Sequence, residues 1–216
     1  MVSLIDDSPE LALERHAARQ REAEHRVKNT LQLISSIVML QGRRASDEAA
    51  RGALRAVQTR VAAVSVAHRH VTWSDEAETV ELSSLVREIV GDLAGSAGRE
   101  GVAIDLDLES VSIPGRHGAP LALLVSETVG NALRHAYPEG RNGRVRVALR
   151  RTGEGFELVV ADDGVGLDPA ASKTGFGLTV AQLMAQQLRG RLETTAAQPG
   201  LRLVVSVPMD SQTPRA

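Results

Sequence analysis

The sequence of 216 residues has no cysteine. That excludes disulfides, thiolate metal centres and a cysteine nucleophile, and it suits a reducing compartment. Aromatic residues are nearly absent, with two Phe, one Trp and one Tyr, so the core must be built from Leu, Val, Ile and Ala. An excess of one charge is missing too. The formal net charge is −2, and no general attraction to nucleic acid or to an acidic membrane is expected. No apolar run approaches membrane-spanning length, and the opening MVSLIDDSPE lacks the basic-then-apolar pattern of a signal peptide. The expected setting is soluble and cytoplasmic, with neither nucleic acid nor membrane as partner.

Two long helices come first. Ser8, Pro9 and Glu10 supply a cap, a first-turn proline and an acid at the positive end of the helix dipole. Val27, Leu31, Ile34 and Val38 then repeat at spacings of 4, 3 and 4, a heptad seam. After GRRASDEAA, with Ser46 as the expected cap, a second helix is predicted to run to about Trp73. Its seam is Ala50, Leu54, Val57, Val61, Val64, His68 and Val71. These stripes are too extensive for one partner helix, so an antiparallel hairpin that dimerises into a four-helix bundle is expected.

The character then changes. Val80 to about Ala94 reads as amphipathic helix, VAIDLDL as a strand, and Gly118 to Ala136 as a helix. GRVRVALRR and GFELVVADD form a predicted hairpin, GFGLTVAQLMAQQLRG a helix, and GRLETTA with GLRLVVSVP a last hairpin. The fold class is α+β: a helical hairpin over residues 8–73, then an α/β sandwich over 80–208 with helices on one face of a sheet.

Three pieces of the second segment carry chemistry. In SETVGNALRHAYP, Glu127 and Asn131 stand at i, i+4 and share a helix face. A carboxylate and a carboxamide so placed can hold Mg²⁺, with Arg134 and His135 one turn on to reach phosphate or sugar. Alone, the pattern is equally an ordinary polar helix face. In VVADDGVGLD, a β-branched strand runs into Asp162, Asp163, Gly164 and Gly166. A strand-end carboxylate can accept from an exocyclic amine, although Asp-Gly is also a plain turn. In SKTGFGLTVAQL, Gly175 and Gly177 open a helix whose N–H groups suit phosphate, with Lys173 and Thr174 beside them. Otherwise it is a loop with a Thr cap.

Taken in this order, the three pieces resemble the nucleotide-binding domain of the GHKL/Bergerat type, shared by histidine kinases, type II topoisomerases, Hsp90 chaperones and MutL repair proteins. The resemblance implies ATP and Mg²⁺ as cofactors. Asn131 would bind the metal, Glu127 would also act as polarising base, and Asp162 would recognise adenine. Gly164, Gly166, Gly175 and Gly177 would shape the pocket and its lid, and Arg134 would face phosphate.

The helix EAEHRVKNTLQLISSIVMLQ is in turn similar to the phosphoacceptor helix of histidine kinases reading H-R-x-K-N-x-L-Q. AHRHVTWSD and His135 resemble the group related to the HWE kinases. The tryptophan that names that group is missing from the strand before Asp162, which sets this chain beside it. His25 is then the expected phosphoacceptor, since a neutral imidazole is a good nucleophile near neutral pH. Glu24 would orient the ring. Arg26 belongs to the same motif, and Lys28 and Asn29 lie at i+3 and i+4 from His25, where they could contact phosphoryl oxygens. The expected function is an ATP-dependent protein histidine kinase, dimeric, that passes the phosphoryl group to an Asp of a response regulator receiver domain. Two alternatives remain: a histidine phosphotransferase with a vestigial nucleotide domain, and an anti-sigma-type serine kinase, which would leave residues 8 to 73 unexplained.

Overall fold

A computed structural model describes residues 9–73, 77–98, 101–138, 141–166, 175–197 and 199–209, with the side chains of 9–21, 23–25 and 73 excepted. The chain divides into two compact units, Met1–Val61 and Ala62–Ala216.

Helix α1 spans Pro9–Arg44, and α2 spans Glu48–Arg69. α1 starts at the expected proline and ends on Arg43 and Arg44, cations at the negative end of its dipole. The cap of α2 is Asp47, not the expected Ser46. Its two carboxylate oxygens accept from the backbone N–H of Ala49 at 3.2 Å and of Ala50 at 3.1 Å. On α1, Val27, Leu33, Ile34, Ile37, Met39 and Leu40 are exposed.

In the second unit, the last two turns of α2 bury Ala63, Val66 and Ala67 in the core. The helix stops at Arg69, four residues short of the expected end. Val71–Trp73 is instead strand β1, paired antiparallel with β2, Glu78–Glu81. Two causes end the helix there. Val71 and Thr72 are β-branched and favour a ladder. In addition, His70 Nε2 lies 2.5 Å from Glu88 Oε2, and Arg69 pairs with the same carboxylate. The helix expected from Val80 likewise begins later, as α3, Leu82–Ala97, because Val80 is needed in β2.

α3 owes its start to Glu81. The carboxylate accepts from Ser84 N at 2.7 Å, Ser83 Oγ at 2.7 Å and Val111 N at 3.2 Å. Burial pushes the group up, but these bonds outweigh it and hold its pKa at about 2.

The main sheet has strand order β3-β5-β6-β8-β7. The strands are β3 Val102–Leu108, β5 Gly143–Arg151, β6 Gly155–Asp162, β7 Arg191–Ala196 and β8 Leu201–Pro208. All pairs are antiparallel except β3 with β5. That parallel pair needs a long crossover, which β4 (Ser112–Pro114) and helix α4 (Gly118–Asn131) provide. β4 joins β1 and β2 in a small second sheet. One face of the main sheet is apolar, with Val145, Val147, Leu149, Leu158, Val160, Leu203, Val205 and Val207 all buried. Helices α3, α4 and α5 (Phe176–Gln187) bury Leu85, Ile89, Leu121, Val125, Ala181 and Ala185 in the same core.

Candidate functional site

The site is built where α4, β6 and the start of α5 end. α4 buries nearly every residue, which is why its sequence is apolar and why a polar residue on it is informative. Glu127 is one of few buried polar groups among the described residues, at 4% exposure. Asn131 follows one turn later and is half-buried. The expected α-helix to Ala136 does not continue unchanged. From Ala132 to Ala136 the chain is a π turn, a form that concentrates at functional sites. It leaves Leu133 and Ala136 buried and turns Arg134 and His135 outward. Arg134 folds back over Gly130, and its guanidinium donates to Asn131 Oδ1 at 3.2 Å.

The first turn of α5 meets these groups. A Cβ placed on Gly177 would lie 2.5 Å from Glu127 Oε2 and 3.0 Å from Asn131 Oδ1. The Glu127 carboxylate and the Asn131 carboxamide, with its Nδ2 at 3.2 Å, therefore converge on a point beside the N-terminus of a 12-residue helix. Their oxygens are the hard donors that suit Mg²⁺, and Glu127 and Asn131 are the residues that would hold it. Gly175 is the N-cap residue of α5 in extended conformation. Lys173 and Thr174 lie outside the described residues.

At the other side stands the end of β6. Asp162 is buried at 8% exposure, and Gly164 N donates to its Oδ1 at 3.0 Å. Burial raises its pKa; bonds from Gly164 and the Leu201 backbone pull the other way, and the neighbouring Asp163 charge adds to the rise. Its remaining acceptor capacity is what an amine ligand would meet. Two glycines are obligatory around it. Gly164 packs against Ala136, where a Cβ would sit 2.3 Å from the carbonyl oxygen. Gly200, at φ +103, leaves no room for any side chain beside the Asp162 carbonyl. Gly166 is at φ +75.

Sequence reasoning did not find Gly200, nor Tyr137, Arg141 and Arg144, which surround Asp163. Gly200 precedes a strand and looks there like a turn residue; only the closeness of Asp162 shows its purpose. In the first unit, Arg26 is exposed and pairs with Glu22 at 2.6 Å, and Lys28 and Asn29 are exposed on α1. The backbone of α1 carries Glu24 and His25; their side chains lie outside the described set.

Two family profiles match the chain. Residues 22–97 match the family described as "Histidine kinase". Residues 117–211 match the "Histidine kinase-, DNA gyrase B-, and HSP90-like ATPase". The chain belongs to the histidine kinases. Curated relatives of the family agree. The sensor histidine kinase PdtaS of Mycobacterium tuberculosis is 30% identical over 197 residues, 88% of this chain and 39% of that protein. The blue-light-activated histidine kinase of Rhizobium johnstonii is 30% identical over 198 residues, 89% of this chain and 53% of that protein. The chain thus spans about two-fifths to half the length of these relatives. In fold it is similar to the histidine kinase domain of the Erythrobacter litoralis blue-light activated kinase, with TM-score 0.67 and 22% identity over 87% of this chain and 92% of that one. Among the described residues of this histidine kinase, no helix is long and apolar enough to cross a membrane.

Proposed function

We propose that this histidine kinase uses ATP and Mg²⁺ to phosphorylate its own His25 and then passes the phosphoryl group to an Asp of a response regulator receiver domain. The observation that carries the reading is the convergence of Glu127 and Asn131 on Gly177 at the start of α5. A phosphoryl donor needs positioning and charge neutralisation more than covalent help, and this corner supplies oxygen donors and a helix dipole. Asp162 would accept from the adenine amine. Arg134 would face the phosphates, and Lys173, Thr174 and His135 would add contacts from the lid and the π turn.

The chemistry balances in two steps. A ring nitrogen of neutral His25 attacks the γ-phosphorus, an N–P bond forms, the bond to the β-phosphate oxygen breaks, and ADP leaves with the electron pair. The proton of the ring is given up, and Glu24 is placed in sequence to accept it. Lys28 and Asn29, one turn on, would contact the transferred group. In the second step a receiver carboxylate attacks the same phosphorus and the N–P bond breaks.

Incubation with γ-labelled ATP and Mg²⁺ tests this. Wild type is expected to take up acid-labile, base-stable label, which His25→Ala and Asn131→Ala lose. Wild type that neither labels nor binds ATP by calorimetry would leave a phosphotransferase fed by another donor. Label that survives His25→Ala would mean a different nucleophile.

A further inference from the structure

We infer that Tyr137 and Asp163 form a clamp that fixes the distance between the adenine-side carboxylate and the phosphate-side helix, and that they act as positioning residues for the nucleotide. The inference rests on the ATP reading above.

Tyr137 is fully buried at the exit of the π turn. Its hydroxyl donates toward two acceptors, Arg144 O at 2.7 Å and Asp163 Oδ1 at 3.0 Å. The same Asp163 oxygen accepts from Arg144 N at 2.7 Å. Arg141 donates to the Asp163 carbonyl at 3.2 Å. Val165 N donates to Ala136 O at 2.9 Å. Three segments are therefore tied at one point: the end of the α4 helix, the start of β5 and the turn after β6. The ring has been given room for this. A Cβ on Gly143 would fall 1.9 Å from Tyr137 Cε1, so no other residue type fits opposite it.

The ionisation states suit a permanent bond. Burial, with the Asp163 carboxylate beside it, raises the Tyr137 pKa above its ordinary value, so the hydroxyl keeps its proton. The backbone bond from Arg144 leads in lowering that of Asp163, which keeps its charge. That charge is unhelpful to Asp162, whose pKa it raises. A carboxylate at 163 is therefore a cost to its neighbour, and the bonds from Tyr137 and the Arg144 backbone account for the acceptor.

The segments joined carry the two ends of the site. Asn131 and Arg134 lie just before Tyr137, and Asp162 lies just before Asp163. A ligand that touches both ends depends on their spacing; a ligand that touches one does not. Preorganisation of this kind appears as affinity for the whole ligand.

The test compares binding of ATP with binding of adenosine by calorimetry on the full chain. Tyr137→Phe is expected to weaken ATP about tenfold, the worth of one net buried hydrogen bond, and to change adenosine less than twofold. Asp163→Ala, which also removes the acceptor of Arg144 N, should weaken ATP at least as much and again spare adenosine. Asp163→Asn, which keeps the acceptor, should restore wild-type affinity, and the double variant Tyr137→Phe with Asp163→Ala should be no worse than Asp163→Ala alone. If the buried Tyr137 variant fails to fold, exposed Asp163 carries the test alone through its Ala and Asn variants. Equal losses for ATP and adenosine, or no loss in either Asp163→Ala or Tyr137→Phe, would overturn the clamp. Wild type that binds no ATP would instead remove the function on which it rests.

Discussion

At the scale of single residues, what an atom adds can be read from what it would displace. Gly177 is helical and ordinary in backbone terms, so Ala there would favour the helix by up to about 1 kcal/mol. Its Cβ, however, would meet the Glu127 carboxylate at 2.5 Å and the Asn131 amide at 3.0 Å. Gly177→Ala is therefore expected to separate stability from function. The thermal midpoint should hold, because the atoms met are the ends of the Glu127 and Asn131 side chains and can swing aside, while γ-phosphate labelling falls about tenfold or more, because those groups no longer converge on the reacting phosphate. Labelling at the wild-type rate would show that the convergence point is not used. Gly175, by contrast, has open space around it, and the same substitution there should leave the site's geometry intact. The two glycines look alike in GFG, and nothing in the sequence ranks them.

Elements were legible where one face is buried and poorly legible where a terminus is set by a distant partner. The β5–β6 and β7–β8 hairpins follow from alternation and from the turns between them. The sequence also singled out Glu127, Asn131 and Asp162 as candidates, through the joint order of three pieces on helix, strand end and loop-to-helix. It did not show the π turn, which has no composition of its own, or β1 and β2, which exist because β4 lies thirty residues away to complete their sheet. Glu81 illustrates the difference. In sequence it falls in the first turn of the helix expected from Val80, yet it ends β2, caps α3 and binds Val111 N across the fold. Glu81→Ala is expected to cost about 1–2 kcal/mol near neutral pH. The pH dependence has a definite sign. A carboxylate lowered from 4.5 to about 2 contributes stability above 4.5 and loses it as pH falls toward 2. Urea denaturation of wild type and variant should therefore differ fully at pH 6 and converge by about pH 2. A constant difference across that window would assign the loss to packing instead.

For the molecule as a whole, the first unit is the part its own chain does not finish. α1 carries two apolar stripes, Val27, Leu31, Ile34 and Val38 on one, Leu33, Ile37 and Leu40 on the other. On the first, Leu31 and Val38 are half-buried while Val27 and Ile34 stay exposed, and on the second Leu33, Ile37 and Leu40 are exposed at 61%, 49% and 54%. Such a stripe at heptad spacing is what a second copy would cover, giving four helices around one core. The second unit needs no such help, since α3, α4 and α5 of its own chain cover the apolar face of the main sheet. The expected behaviour divides accordingly. Wild type should sediment as a dimer at micromolar concentration. Ile37→Asp combined with Leu40→Asp should sediment as a monomer, because two buried charges with no counter-ion are costly. ATP affinity should stay unchanged in that variant, since neither residue belongs to the nucleotide unit. A monomeric wild type across the micromolar range would show that the second stripe serves another partner, for which the receiver domain is the first candidate. A dimer that persists in the variant would place the subunit contact elsewhere on the chain.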